Sequence, residues 1–293
     1  MGTFKRSWRI FQKSWTVIDK NRKLLIFPLI SMLSIVFLLL LIASGTLSML
    51  PGNPLDQVLI FQDKNPDGTL SISKIAIWFV VYLLVMLTTN LCQMAFYNEI
   101  FRGLRGKKVY LLHGFQSAAQ RFIAALLWTL LSATVGVVLR LLQPRVGGIG
   151  LFLVRGSALI WVVASCFAIP VMMFDPRLNN PFLVLKRSEE TIRRTWGEAL
   201  IGFAGLHVMT WLAFFIWVAV CAGLTGLTLA MPGLSMETVW TCTALFGIFL
   251  FFAYLVSTAE KVYLASLYIY ARGGGSDIFT QKDMDSAFIS PDV

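Results

Sequence analysis

Charge is what this chain has least of: 14% of its 293 residues are Asp, Glu, Lys or Arg, against about 25% in an average soluble domain. Hydrophobic residues make up 57%. Too little polar surface is available to clothe a water-soluble domain, which excludes an ordinary soluble enzyme. The net charge of +10 does not point to nucleic acid, because the basic residues flank apolar runs instead of forming a basic domain. Histidine is almost absent, and His113 and His207 stand alone. Cysteine is scarce too. Cys92, Cys166, Cys221 and Cys242 sit singly inside apolar runs with no CxxC spacing, so neither a disulfide framework nor a metal site is expected, and the four read as small buried apolar residues. There is no GxSxG elbow, no HExxH, no Walker loop and no pair of aspartates within an apolar run. Gly147-Gly148-Ile149-Gly150 and Gly273-Gly274-Gly275 lack the Lys-Ser/Thr that completes a phosphate loop. The expectation is a protein without catalytic residues, cofactor or metal, and not an enzyme.

What the chain has in quantity is long apolar runs. A bilayer core takes about 20 apolar residues per helix. Six stretches meet that length, at about 24–50, 75–101, 122–142, 151–174, 199–231 and 239–270. The expected fold class is therefore all-α, a polytopic transmembrane helix bundle of about six spans, with a single transmembrane domain over 1–272 and cytoplasmic interfacial amphipathic helices. Residues 273–293, opening on Gly273-Gly274-Gly275-Ser276, read as a flexible cytoplasmic tail. The apolar run from Leu24 is too long for a cleavable signal peptide and follows a charged amphipathic segment, so it is expected to stay in the mature protein.

That preceding segment sets the pattern for the rest. As a helix it carries Phe4, Trp8, Phe11, Trp15 and Ile18 on one stripe, with Lys5, Arg6, Arg9 and Lys13 off it and Lys20, Arg22 and Lys23 following. Aromatic residues on one face and cations on the other describe a helix held in a membrane interface by apolar burial and anionic headgroups. The third span is entered through Leu111, Phe115, Ala119, Arg121 and Phe122, and the fifth through Leu185, Lys186, Arg187, Ile192, Arg193, Arg194 and Trp196. This suggests three units, each an interfacial helix plus a transmembrane hairpin; residue identity among them is low, and chance recurrence stands beside a true repeat. The lipid-interface candidates are Lys5, Arg6, Trp8, Arg9, Lys13, Trp15, Lys186, Arg187, Arg193, Arg194 and Trp196.

Cation placement predicts the orientation. With both termini and the 102–121 and 177–194 connections inside, the outside keeps Lys64, Lys74, Arg140, Arg145 and Arg155 of 25 Lys and Arg. The positive-inside rule then places both termini in the cytoplasm. Arg140, Arg145 and Arg155 bracket an outer connection that either snorkels to headgroups or dips back into the membrane, and snorkelling is the preferred reading. Trp8, Trp15 and Trp196 fall near the inner interface, and Trp78 and Trp240 near the outer one.

Polar groups inside the spans gather in one seam. Asn90, Gln93 and Tyr97 recur along one face of the second span, with Glu99 next, and Ser257, Glu260 and Lys261 lie on the sixth. Such groups either glue helices together or line a path for a solute, and the first reading is preferred.

Two stretches carry a resemblance. Phe4-Lys5-Arg6-Ser7-Trp8 through Lys13-Ser14-Trp15 to Lys23-Leu24-Leu25-Ile26-Phe27-Pro28 is the first, and Leu185-Lys186-Arg187-Ser188 through Arg193-Arg194-Thr195-Trp196-Gly197-Glu198 the second. With the layout as far as Ala265 to Ala271, they resemble an uncharacterised family of bacterial and archaeal multi-pass membrane proteins, a domain of unknown function. The resemblance implies a prokaryotic plasma (inner) membrane protein of about six helices and supplies no activity. The expected function is a non-enzymatic structural or accessory membrane component interacting with anionic lipid; the alternative is a carrier of a small molecule, ion or lipid using the seam. Expected partners are anionic membrane lipids, with a membrane-protein partner or a second copy also compatible, and no nucleic acid.

Overall fold

The structure, a computed structural model, describes residues 15–49, 72–175, 178–230 and 235–272. All regular elements among them are helical. A helical turn over 15–20 and a 3-10 turn at Arg22–Leu25 lead into α1 (Ile26–Met49), followed by α2 (Ile72–Leu104), a short α3 (Leu111–Ala119), α4 (Phe122–Leu142), α5 (Ile149–Ser165), α6 (Ala168–Phe174), α7 (Pro181–Ala230) and α8 (Ser235–Ala271). Among the described residues, five stretches are long and apolar enough to cross a membrane: Arg22–Ile42, Phe79–Leu104, Phe122–Leu142, Gly150–Phe174 and Thr238–Ile269. The fifth expected span contributes a shorter apolar stretch, Thr210–Leu224, on α7. The protein is an all-α membrane protein. The 51–71 connection, the tail from 273 and the segment carrying Lys5, Arg6, Trp8, Arg9 and Lys13 lie outside the described residues.

The helices divide into two compact units. The first takes the chain up to Leu25, Glu99–Val109 and everything from Glu190; the second takes Ile26–Asn98 and Tyr110–Glu189.

In the second unit, Phe27 is buried between the rings of Phe96 (5.5 Å) and Phe115 (5.8 Å). Trp128 stacks on Trp161 at 6.0 Å, bringing α4 and α5 together. The span Gly150–Phe174 is interrupted at Cys166 and Phe167, between α5 and α6, and Pro170 brings no amide hydrogen to the first turn of α6. A backbone N–H freed at membrane depth needs a partner. Ser188 provides it, its Oγ accepting the Phe167 N–H at 3.2 Å while both residues are fully buried.

Short helix α3 buries Gly114 and Ala118, not the stripe Leu111, Phe115 and Ala119 read from sequence. Small side chains permit the closest backbone approach, so the packed line shifts by one residue and leaves Leu112 81% exposed. The start of α7 repeats that spacing: Val184 and Ser188 are buried, while Phe182, Leu183 and Lys186 are exposed. At 15–20 the buried pair is Val17 and Ile18, and Trp15 is exposed.

In the first unit, α7 leaves helical geometry at Thr195 (φ −120°, ψ 16°). That bend falls at the change from the charged run Lys186 to Arg194 to the apolar run beyond. Farther on, α7 and α8 pair as an antiparallel hairpin through Phe214 and Phe249 (5.7 Å) and Trp217 and Phe246 (5.0 Å).

Candidate functional site

Three chain segments of the first unit meet at one end of their helices. Asn21 lies beside α2 where Gly103 has no side chain: a Cβ there would stand 3.4 Å from Asn21 Nδ2 and 3.7 Å from Val109 Cγ2. The 3-10 turn Arg22–Leu25 packs against α8. Phe101, near the end of α2, faces Tyr268 of α8 at 6.1 Å. Arg194, just before the bend in α7, donates to the Ala271 carbonyl at 3.2 Å. Arg272 donates to Tyr268 Oη at 3.1 Å and lies over the same ring, 5.6 Å from its centre. Apolar burial of Leu24, Leu104, Leu267 and Tyr268 holds these ends together.

The consequence is electrostatic. Lys20, Arg22 and Lys23 from the first segment, Arg105, Lys107 and Lys108 from the turn after α2, and Arg193, Arg194 and Arg272 from the helix ends are all exposed within this one unit. Among the described residues of this unit, Asp19 and Glu190 are exposed acids, and Asp19 is 3.4 Å from Arg22 in a solvated pair of small energetic value. Glu99 is fully buried, 3.5 Å from Arg102. The turn carrying Lys107 and Lys108 is itself fixed, since Arg102 donates to the Lys108 carbonyl at 3.2 Å and Gly106 takes the positive φ of 69° that the reversal requires.

The lipid-interface residues expected from sequence divide accordingly. Arg193 and Arg194 belong to this basic pole. Lys186 and Arg187 belong to the second unit; Lys186 is exposed, whereas Arg187 forms an ion pair with Asp175. Arg121 donates to the Met172 carbonyl nearby; burial lowers its pKa, and the Asp175 carboxylate opposes that shift. Trp15 is exposed, and the side chain of Trp196 lies outside the described residues. Arg105, Lys107, Lys108 and Arg272 count in the sequence only toward the orientation of the chain. Their signal as a site was present in the sequence, as cations within a few residues of two span ends, but which ends meet was not.

Of the seam residues, Asn90 and Lys261 make side-chain hydrogen bonds. Asn90 donates to Thr129 Oγ1 of α4 at 2.9 Å, and Thr129 in turn donates to the Ala125 carbonyl at 2.6 Å. Lys261 donates to Ser257 at 3.1 Å on its own helix. Asn90, Gln93 and Tyr97 belong to the second unit, and Glu99, Ser257, Glu260 and Lys261 to the first. Within the first unit the end of the second span does meet the sixth, through Phe101 and Tyr268. Thr129, Ser188 and Asp175 are partners that sequence reasoning missed, because each looks unremarkable until its neighbour is known.

No curated protein and no solved structure matches the chain. A family model described as a family of unknown function (DUF6159) matches residues 72–278.

Proposed function

Since the chain belongs to that family of unknown function, we propose its role from the site: a non-enzymatic component of a prokaryotic plasma membrane whose basic pole holds anionic lipid headgroups on the cytoplasmic side. The observation that carries the proposal is the convergence of exposed cations from three segments at the ends of the membrane-length helices Phe79–Leu104 and Thr238–Ile269. Helix ends of this kind lie at headgroup height, where each Lys or Arg near an anionic surface contributes about 1 kcal/mol. The amphipathic segment before Trp15 adds Lys5, Arg6, Arg9 and Lys13, with Trp8 for apolar anchorage. Both termini then face the cytoplasm.

Helix gluing, in preference to a carrier path, is supported by the seam, where Asn90 of α2 is committed to Thr129 of α4. The test is purification in mild detergent followed by mass spectrometry of retained lipid. Replacing Arg22, Lys23, Arg105, Lys107 and Lys108 with Gln should deplete anionic phospholipid several-fold relative to zwitterionic lipid without loss of helix content. An unchanged lipid profile overturns the proposal, and uptake of a defined solute into liposomes containing this protein alone favours the carrier.

A further inference from the structure

The hairpin of α7 and α8 places two cysteines opposite one another. Its facing pairs step in opposite directions along the two helices: Phe214 meets Phe249, and Trp217 meets Phe246. One turn farther along α7 and one turn back along α8, the next pair is Cys221 and Cys242. One contact fits that register, because Trp217 Nε1 donates to the Cys242 carbonyl at 3.5 Å, and Cys242 is the neighbour that acts electrostatically on the Cys221 thiol. Neither cysteine is in a disulfide, and both are partly exposed. By contrast, Cys92 is buried, with Ser31 and Ser34 of α1 as its polar neighbours.

We infer that Cys221 and Cys242 are an oxidisable pair, which a lipid hydroperoxide closes into a disulfide tying the two arms of the hairpin together. The setting selects the oxidant. Cys242 lies seven residues beyond Ser235, about 10 Å along the helix at 1.5 Å per residue. Its surroundings there are acyl chains, into which charged water-borne oxidants such as peptide disulfides do not partition. A hydroperoxide carried on an acyl chain reaches the same depth.

The chemistry balances in two steps. One sulfur attacks the terminal peroxide oxygen, the O–O bond breaks, the thiol proton passes to the departing alkoxide, and a sulfenic acid and a lipid alcohol result. The second thiol then attacks the sulfenic sulfur, the S–O bond breaks, and hydroxide leaves as water with the second thiol proton. In sum, two thiols and one hydroperoxide give one disulfide, one alcohol and one water. Juxtaposition makes the second step intramolecular and faster than further oxidation. The hairpin, joined at this end by its short 231–234 connection, thereby gains a covalent cross-tie partway along its length.

The experiment uses the full chain in liposomes of phosphatidylcholine with and without a trace of phosphatidylcholine hydroperoxide, read by non-reducing peptide mass spectrometry. A peptide linking Cys221 to Cys242 within one chain should appear, with two alkylatable thiols lost and then recovered after a membrane-permeant reductant, while Cys92 stays alkylatable. In Cys221→Ser the link should vanish and Cys242 should be trapped by dimedone as its sulfenic acid; Cys242→Ser should behave reciprocally. Loss of the two thiols without that linked peptide, a link only between chains, or no reaction of the wild-type chain overturns the inference. The wild-type peptide map decides it even where a variant folds poorly.

Discussion

Thr129 accepts a hydrogen bond from Asn90 and gives one to the Ala125 carbonyl, so its hydroxyl is used twice with no water needed. Both residues are buried in a part of the molecule where the alternative is an unsatisfied polar group in hydrocarbon. Double-mutant cycles on such interhelical bonds give about 0.6 kcal/mol on average and about 1.7 at most. The coupling between Asn90→Ala and Thr129→Ala should therefore fall in that range. In an SDS-unfolding titration the double variant should cost clearly less than the sum of the two; strict additivity would mean that the bond carries no coupling. Polar depth in this chain thus reads as cohesion between the second and third spans.

Breaks and close approaches govern the elements. The α5–α6 interruption is tolerated because Ser188 accepts the Phe167 N–H, so Ser188→Ala should orphan a buried donor and destabilise by about 1–3 kcal/mol. Ser188→Thr, which keeps the hydroxyl, should recover part of that loss in the same titration. Gly103 presents the other case. Its absent side chain lets Asn21 approach α2, and a Cβ there would stand 3.4 Å from Asn21 Nδ2, in ordinary van der Waals contact. Gly103→Ala should be borne with little change, whereas Gly103→Leu should cost about 1–3 kcal/mol by overpacking. Because Gly103→Leu removes no charge, it offers a separate probe of the pole: retained anionic lipid should fall as the segment around Asn21 is displaced, and retention at the wild-type level would show that cation number alone, without convergence, accounts for binding.

For the whole molecule, the orientation is the first quantity to measure. In a cysteine-free background, a cysteine at Asp63 should react with an impermeant thiol reagent in intact cells, and one at Lys107 should react only after permeabilisation; the reverse pattern would turn the basic pole to the outside. The helical, membrane-crossing character was legible in the sequence because a bilayer imposes a length and a polarity on each span, and both are local properties of a run such as Leu24 to Ile42. Cation asymmetry is likewise additive along the chain and needs no contacts to be counted. Pairing is different. That Asn90 answers Thr129, that Arg187 is taken by Asp175, and that α3 packs through Gly114 and Ala118 depend on which helices touch and how closely. Apolar surfaces are interchangeable to a hydrophobicity pattern, so the pattern fixes which residues enter the membrane and leaves neighbour choice open. Only the folded chain, where backbone distance, small residues and hydrogen-bond geometry select among equally greasy faces, decides that Cys221 meets Cys242 and that cations from three separate segments form one pole.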